Sequence, residues 1–323
     1  MAKQILINLT QLRAYNDLPD GVEYNLQLKA KADEITSSSL STPVEFLKYG
    51  NPRNWLTFKG NGSFSINGDY LSNSGRYGIA KVYYSLDGTN WQEWDKSTIT
   101  AQHVVGRGYF LHLCGIGNYC MRGSNNFDAG LRFINNDVNV NLEIECQGDI
   151  GSLLDYPTYD KGLSVELGER SCQFLFLNCQ YLKTPPTLSP TYFTGRYVYY
   201  GMFMGCTKLE SSPILPATDL VYRGYIQMFS GCTSLKRLGA ILGNKTDSTS
   251  PSTLMQQMFS GCTSLKVSTT QSSEYPYAFP IPRTLDSSFT TNQTNSFENT
   301  GGSYTGDIVP NTTYYLHDEP ILS

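Results

Sequence analysis

The chain has 323 residues, enough to bury a large core and to form two domains with terminal segments. Charged residues make up only 16% of it, and Gly, Pro and Tyr are abundant, which is typical of a β-rich surface protein and not of a cytosolic enzyme. The formal net charge of −4, without a basic stripe, excludes nucleic acid as the main partner, because phosphate binding requires clustered Lys and Arg.

Residues 1–43 carry one strand pattern followed by a linker. Between Val22 and Ala32, apolar residues alternate with polar residues, which predicts a half-buried strand. The Ser-rich run Ser37–Pro43 predicts a flexible linker. We interpret this segment as an attachment arm that docks on another subunit or pairs with copies of itself. The alternative is a strand that folds back onto the next domain.

The N-terminus lacks the features of a signal peptide. It has one early Lys, its apolar patch is interrupted by Asn8, and no small-residue cleavage site follows. No stretch of the sequence approaches the length of a transmembrane helix. We therefore expect synthesis in the cytoplasm without export, and no insertion into a membrane.

Residues 44–156 alternate short apolar runs with turn residues, which predicts a β-sandwich. The runs are Trp55–Phe58, Phe64–Ile66, Ile79–Ser85, Trp91–Trp94, Gly108–Cys114 and Val138–Cys146. The clearest hairpin extends from Lys81 to Trp91, where Asp87 and Gly88 are predicted to supply the positive φ angles of a tight turn.

Residues 157–323 contain a repeat that predicts a solenoid with a C-terminal cap. The phrase MFSGCTSLK occurs twice, and two related phrases precede it, with their cysteines 27, 26 and 30 residues apart. A Phe stands three residues before each cysteine and a Leu three residues after it, so these residues are expected to stack as a buried ladder. The ladder consists of Phe176, Cys179, Leu182, Phe203, Cys206, Leu209, Phe229, Cys232, Leu235, Phe259, Cys262 and Leu265.

Within one unit the spacing of apolar residues predicts a short helix. Tyr199, Met202, Phe203 and Cys206 fall at i, i+3, i+4 and i+7, the stripe of two helical turns. The glycines before Cys206, Cys232 and Cys262 predict the helix end, whereas Asn178 precedes Cys179. An extended return follows, in which Pro213 keeps the backbone straight. We therefore predict a mainly β chain with short helices in the repeats.

Eight cysteines are compatible with a disulfide framework, but four of them occupy equivalent apolar positions of successive units. We therefore favour buried thiols, because a free cysteine packs as a small apolar residue. Cys172, seven residues before Cys179, is the one hint of a local pair. His112, Cys114 and Cys120 suggest metal ligands, but no further ligand pair completes a set of four. The sequence predicts no metal and no cofactor.

The repeats resemble BspA-type leucine-rich repeats, in which an aromatic-x-x-Cys helix precedes a Thr-Ser-Leu turn and a short strand. The resemblance runs from Cys172 to Lys266 and continues more weakly through Ser296–Gly302, where Thr300 stands in place of the cysteine. The YYS-DG-W hairpin near Asp87 resembles the immunoglobulin-like module that precedes such repeats in proteins of Bacteroidetes and their phages. The resemblance implies an immunoglobulin-like domain followed by a repeat array with a cap.

Exposed tyrosines are the best candidates for a binding site. Tyr197, Tyr200 and Tyr222 lie off the apolar stripe, and tyrosine suits both sugars and protein partners. The run Ser85–Trp91 approximates the Asp-box of sialidases, but a hairpin turn is the simpler interpretation. None of the three histidines lies in a nucleophile motif, so the sequence predicts no enzyme.

The resemblance and the missing export signal together imply a bacteriophage virion structural protein, a head or tail fibre that adheres to a host glycan or surface protein. The arm would bind other virion proteins, and the fibre would be a dimer or a trimer. The first alternative is a bacterial BspA-like surface adhesin. The second is a glycan-degrading enzyme built on a repeat scaffold.

Overall fold

The fold is mainly β, with 29% strand and 4% helix distributed over several sheets. The computed structural model describes residues 55–73, 75, 80–124, 127–190, 192–217, 219–243, 245–246, 254–281, 294–309 and 311–322. The arm predicted at residues 1–43 lies outside the described residues.

The N-terminal half of the described chain contains nine strands. They are β1 (Leu56–Gly60), β2 (Phe64–Asn67), β3 (Lys81–Ser85), β4 (Trp91–Glu93), β5 (Ile99–Thr100), β6 (Gln102–Val104), β7 (Gly108–Ile116), β8 (Arg132–Asn135) and β9 (Ile144–Gln147). Eight short strands follow: β10 (Glu166–Leu167), β11 (Leu182–Thr184), β12 (Tyr192–Phe193), β13 (Asp219–Leu220), β14 (Lys245–Thr246), β15 (Val267–Ser268), β16 (Tyr277–Pro280) and β17 (Thr313–Leu316).

The nine strands and β11 form two sheets that pack face to face. The larger has the order β11-β9-β1-β7-β3-β4, with β6 also paired to β7, and the smaller has the order β5-β2-β8. In β1 the alternation of the sequence buries Leu56 and Phe58 and leaves Lys59 partly exposed beside Glu145 of β9. Phe58 contacts Phe133 of the smaller sheet at 5.1 Å between ring centroids.

The predicted strands are mostly present, but their turns differ from the prediction. β3 and β4 form the expected antiparallel hairpin. Its loop spans five residues, and only Gly88 in it has a positive φ, of 73°. The carboxylate of Asp87 accepts the N–H groups of Thr89 and Asn90, at 2.8 and 2.7 Å, so the aspartate shapes a wide loop without adopting a left-handed conformation.

One helix missed by the sequence analysis, α1 (Ile150–Tyr159), packs against β7. Asp149 caps it by accepting the N–H of Gly151 at 2.7 Å. Pro157 cannot donate to the carbonyl of Leu153. That carbonyl instead accepts a hydrogen bond from the side chain of Asn118, at 3.0 Å. A residue outside the helix therefore replaces the donor that Pro157 lacks.

The short helices predicted in the repeats are wrong, because these segments are chains of turns. The residue one before the cysteine and the residue five before it both have positive φ, as in Gly205 (74°) and Gly201 (57°). The next unit repeats this at Gly231 (74°) and Gln227 (53°). A left-handed residue at every fourth position ends each helical turn as it forms. The apolar stripe is still buried, because this backbone turns once in about four residues, close to the 3.6 residues per turn of an α-helix.

Hydrogen bonds alternate along each wound segment. Phe203 donates its N–H to the carbonyl of Met228 in the next unit, at 2.9 Å. Gly205 does the same to Ser230, at 2.8 Å. The residue between them, Met204, donates to Gly201, three residues earlier in its own unit. Every second N–H therefore joins neighbouring units, and the others close turns within a unit.

The phenylalanines of successive units stack at a constant interval. Their centroids are separated by 5.5, 5.5, 5.6 and 5.6 Å, and the ring planes differ by 3 to 8°. The rings in the stack are Phe176, Phe203, Phe229, Phe259 and Phe297. Phe297 belongs to the unit in which Thr300 replaces the cysteine, so the weak C-terminal repeat continues the stack.

The first and last units have Asn where the central three have Gly. Asn178 (φ 55°) and Asn299 (φ 57°) occupy the left-handed position of Gly205, Gly231 and Gly261. Asparagine tolerates positive φ better than any other residue with a side chain. The departures from the sequence pattern thus preserve the backbone conformation.

The core continues across residue 156, the predicted domain boundary. β11 pairs in parallel with β9 and joins the larger sheet. The ring of Phe176 lies 6.3 Å from that of Phe58 in β1, and the thiol of Cys179 donates to the carbonyl of Leu131 at 3.0 Å. The boundaries at residues 43 and 156 stay predictions, and the first unit is covered by the sheets.

The other end of the stack is covered by aromatic residues near the C-terminus. Tyr314 of β17 lies edge-on to Phe297 at 5.2 Å, and the hydroxyl of Thr300 donates to the carbonyl of Phe297 at 3.0 Å. β17 is the central strand of a small sheet with the order β15-β17-β16. The last ring therefore contacts side chains on both sides.

All eight cysteines lie within the described residues, and all are thiols. Cys172 is buried in the position that Tyr199 and Tyr225 occupy in the next two units, so the local pair suggested for it is wrong. The thiol of Cys232 donates to the carbonyl of Phe203 at 3.0 Å, and burial raises its pKa to about 12. Only Cys120 is partly exposed.

We expect Gly231→Ala to lower the free energy of unfolding by about 1 kcal/mol, measured by urea denaturation. The added Cβ would lie 3.7 Å from Gly205, an ordinary contact, so the loss comes from the positive φ. Gly231→Asn should lose less, as Asn178 and Asn299 indicate. Ser230→Ala, at a neighbouring position, is the control, and equal stability of Gly231→Ala and this control would contradict the interpretation.

We expect iodoacetamide to modify one thiol, that of Cys120, in the folded protein. All eight should react in guanidinium chloride without a reducing agent, because burial prevents reaction of the other seven in the native state. Mass spectrometry of the intact chain and of its peptides checks both numbers. Fewer than eight adducts after unfolding would reveal a disulfide.

Candidate functional site

The structure brings the three tyrosines proposed for binding together on one side of the stack. The ring of Tyr197 lies 5.6 Å from that of Tyr222, nearly perpendicular to it, and 6.1 Å from that of Tyr200. All three side chains are partly exposed. They come from two neighbouring units, so their proximity depends on the stacking of those units.

Three arginines surround these rings, and sequence reasoning missed all of them. The guanidinium carbons of Arg170 and Arg223 lie 5.3 and 5.5 Å from the centroid of Tyr197. Those of Arg223 and Arg196 lie 5.0 and 5.8 Å from the centroid of Tyr222. We define the Arg–Tyr surface as Arg170, Arg196, Tyr197, Tyr200, Tyr222 and Arg223.

The repeat register places these residues beside one another. Arg170, Tyr197 and Arg223 each stand nine residues before a cysteine of the ladder, and all have positive φ, between 55 and 60°. Because equivalent positions stack, Tyr197 lies between an arginine from the preceding unit and one from the following unit. Arg196 and Tyr222 form the adjacent column, ten residues before their cysteines. The same register could have revealed the arginines in the sequence.

The Arg–Tyr surface is positively charged. Arginine remains protonated at any physiological pH. Burial raises the pKa of Tyr200, and the guanidinium of Arg223 opposes this, so the phenol stays neutral. Glu169 lies beside the surface, exposed, with its carboxylate 3.6 Å from Nε of Arg170. Three guanidinium groups in one surface favour anionic partners.

An aromatic extension continues the surface toward the first unit. The buried ring of Phe174 lies 4.8 Å from Tyr200 and 4.8 Å from Phe127, whose side chain is 54% exposed. Met204 also packs against this cluster. Sequence reasoning missed Phe127, which lies in the turn before β8 and approaches the repeats only in the folded chain.

The twelve ladder residues are core and not a site. Each is at most 3% exposed. Burial raises the pKa of every ladder thiol, which keeps these cysteines protonated and unreactive. Their thiols donate to main-chain carbonyls, as Cys206 does to Phe176 at 3.0 Å.

The candidate metal ligands do not form a site. Among the residues that the structure describes, no three His, Cys, Asp or Glu side chains are placed to hold a metal ion. Cys114 lies in a buried cluster with Trp55 and Trp91. Nδ1 of His112 lies 2.8 Å from the hydroxyl of Thr57. Asp87 is occupied by its own loop, whose hydrogen bonds lower its pKa although partial burial opposes this.

His112 is a structural histidine with a perturbed pKa. Its ring lies 6.0 Å from that of Trp55 and is nearly parallel to that of Phe110. Burial lowers the pKa of His112 to about 4, the neighbouring Asp87 opposes the shift, and Arg107 adds to it. The imidazole is therefore neutral in the folded protein at pH 7.

This shift predicts a loss of stability in mild acid. The unfolded chain binds a proton at His112 near pH 6.5 and the folded chain only near pH 4, so the contribution of neutral His112 declines between these values. We expect wild type to lose about 2 kcal/mol relative to His112→Gln between pH 7 and pH 4.5. Urea denaturation at both pH values checks this. Parallel pH profiles of the two proteins would contradict it.

No protein-family model, no curated protein and no solved structure matches the chain. Within the described part of the chain, none of the helical residues forms a segment with the length and hydrophobicity needed to cross a bilayer.

Proposed function

We propose that this protein is a non-enzymatic recognition protein, a head or tail fibre of a bacteriophage, which adheres to a host surface through the Arg–Tyr surface. One observation carries the proposal. The ring of Tyr197 is flanked by Arg170 and Arg223 from the units on either side, with Tyr222 and Arg196 in the adjacent column.

The chemistry of these side chains supports binding. Tyrosine offers a broad face with a polar tip and loses little conformational entropy on binding. The planar guanidinium of arginine recognises anionic groups through paired hydrogen bonds. Tyr and Arg are also the residue types enriched among those that dominate binding energy at interfaces. The rings and guanidinium groups hold one another in place before any ligand arrives, which lowers the entropic cost of binding.

In this proposal the other parts of the chain hold the Arg–Tyr surface away from the particle. We propose that the stacked units form a short solenoid of BspA type, supported by the constant ring interval of 5.5 to 5.6 Å, although its wound segments are turns where that type has helices. The two facing sheets would be an immunoglobulin-like spacer. The arm at residues 1–43 would attach the fibre to other virion proteins, and the fibre would assemble as a dimer or a trimer.

Adhesion is tested with purified full-length protein and intact Bacteroidetes cells, the hosts that the resemblance implies, by flow cytometry. We expect Arg223→Ala and Tyr222→Ala each to weaken binding about tenfold, the usual effect at a dominant interface position. Arg107→Ala is the matched control, because Arg107 also stacks on an aromatic ring, at 5.4 Å from Phe110, outside the Arg–Tyr surface. Equal binding by all variants with unchanged melting temperatures would refute adhesion through this surface.

The setting on a virion is tested separately. Mass spectrometry of purified particles and immunogold electron microscopy should place the chain on the capsid or on the tail. Label on bacterial cell surfaces, with none on particles, would support the BspA-like adhesin in place of the fibre.

A further inference from the structure

We propose that the ligand of the Arg–Tyr surface is a linear acidic polysaccharide that lies along the direction in which the units stack. This inference rests on the proposed function, which it narrows to one class of ligand. It follows from the charge, the spacing and the shape of the surface.

The charge of the surface is opposite to that of the whole chain. The chain has a formal net charge of −4, yet Arg170, Arg196 and Arg223 meet within one surface, where Glu169 lies beside Arg170. A local reversal of this kind attracts anions and raises their rate of association. Because a guanidinium pairs best with an anion that offers two oxygens to its fork, carboxylates and sulfates are the expected groups.

The spacing of the arginines indicates a polymer. Arg170 and Arg223 belong to units two steps apart, and their guanidinium carbons lie 5.3 and 5.5 Å from the centroid of Tyr197, so at most about 11 Å separates them. At the full separation, a small anion pairs with only one of the two guanidinium groups. An extended chain that carries a charge at regular intervals reaches both, and gains affinity from the second contact without a new entropic cost of association.

The shape of the surface favours a sugar chain over a folded protein. Arg170, Tyr197 and Arg223 form one column of planar groups that follows the stack, and Tyr222 lies beside it. Tyrosine faces pack against the apolar faces of sugar rings, while the guanidinium groups pair with the acidic substituents between them. A linear ligand can follow this column of Arg170, Tyr197 and Arg223 along the stack, as a folded partner does not.

The test measures binding of the full chain to three polymers by biolayer interferometry. The probes are alginate, which carries carboxylates, dextran sulfate, which carries sulfates, and neutral dextran. We expect binding to one or both acidic polymers, weaker binding at higher salt, and none to dextran. Alginate oligomers should gain affinity with length until they span Arg170 and Arg223. Equal binding to dextran, or no length dependence, would overturn the inference.

Variants separate this site from general attraction to charge. Arg223→Ala and the exposed Arg196→Ala should each weaken binding to the acidic polymer about tenfold. Arg223→Lys, which keeps the charge but loses the planar fork, should lie between wild type and Arg223→Ala. Arg107→Ala removes the same charge elsewhere and should bind as wild type does. A loss with Arg107→Ala as large as that with Arg223→Ala would refute the site.

The outcomes distinguish this inference from the proposed function. Binding to cells that depends on Arg223, without binding to either acidic polymer, would leave adhesion in place and overturn the ligand class. Binding to an acidic polymer that depends on Arg223, without binding to cells, would support the ligand class and refute adhesion to that host.

Discussion

The hydrogen bonds between successive units hold the C-terminal half together, and they depend on a left-handed residue at every fourth position. With that residue in place, alternate N–H groups such as those of Phe203 and Gly205 turn outward to the next unit. A continuous α-helix would keep the same groups within the unit and leave no bonds for its neighbour. The left-handed residue before each ladder cysteine, which is Gly or Asn, is therefore one constraint on the repeat.

This backbone also determines what the core contains. The thiols of Cys206, Cys232 and Cys262 each donate to a carbonyl of the preceding unit, and that of Cys179 donates to Leu131. At the two ends of the stack, no further unit covers the apolar side chains of the terminal units. The sheets cover the first ring through Phe58, and Tyr314 covers the last. The stack is thus continuous with the rest of the core.

The same register assembles the surface that we propose as the binding site. Tyr197 is placed between Arg170 and Arg223 by the interval between units, since the three residues are distant in sequence but equivalent in the repeat. A surface built in this way follows the stack, with Arg170 and Arg223 in units two steps apart and Tyr197 between them. Such a surface suits the extended ligand that we propose.

The sequence alone determined the repeat, its ladder residues and most strands of the N-terminal half, because burial follows apolar spacing in any regular backbone. It could not distinguish a helix from a chain of turns, since a four-residue winding buries Tyr199, Met202 and Phe203 as a helix does. Helix α1 was not predicted because Pro157 is unfavourable inside a helix. The Leu153 carbonyl that loses its helical donor is hydrogen-bonded by Asn118, which is distant in sequence. The exposed tyrosines were predicted one by one, whereas their meeting with three arginines was decided by the stacking of whole units. Contacts between units depend on tertiary register, which local spacing does not contain.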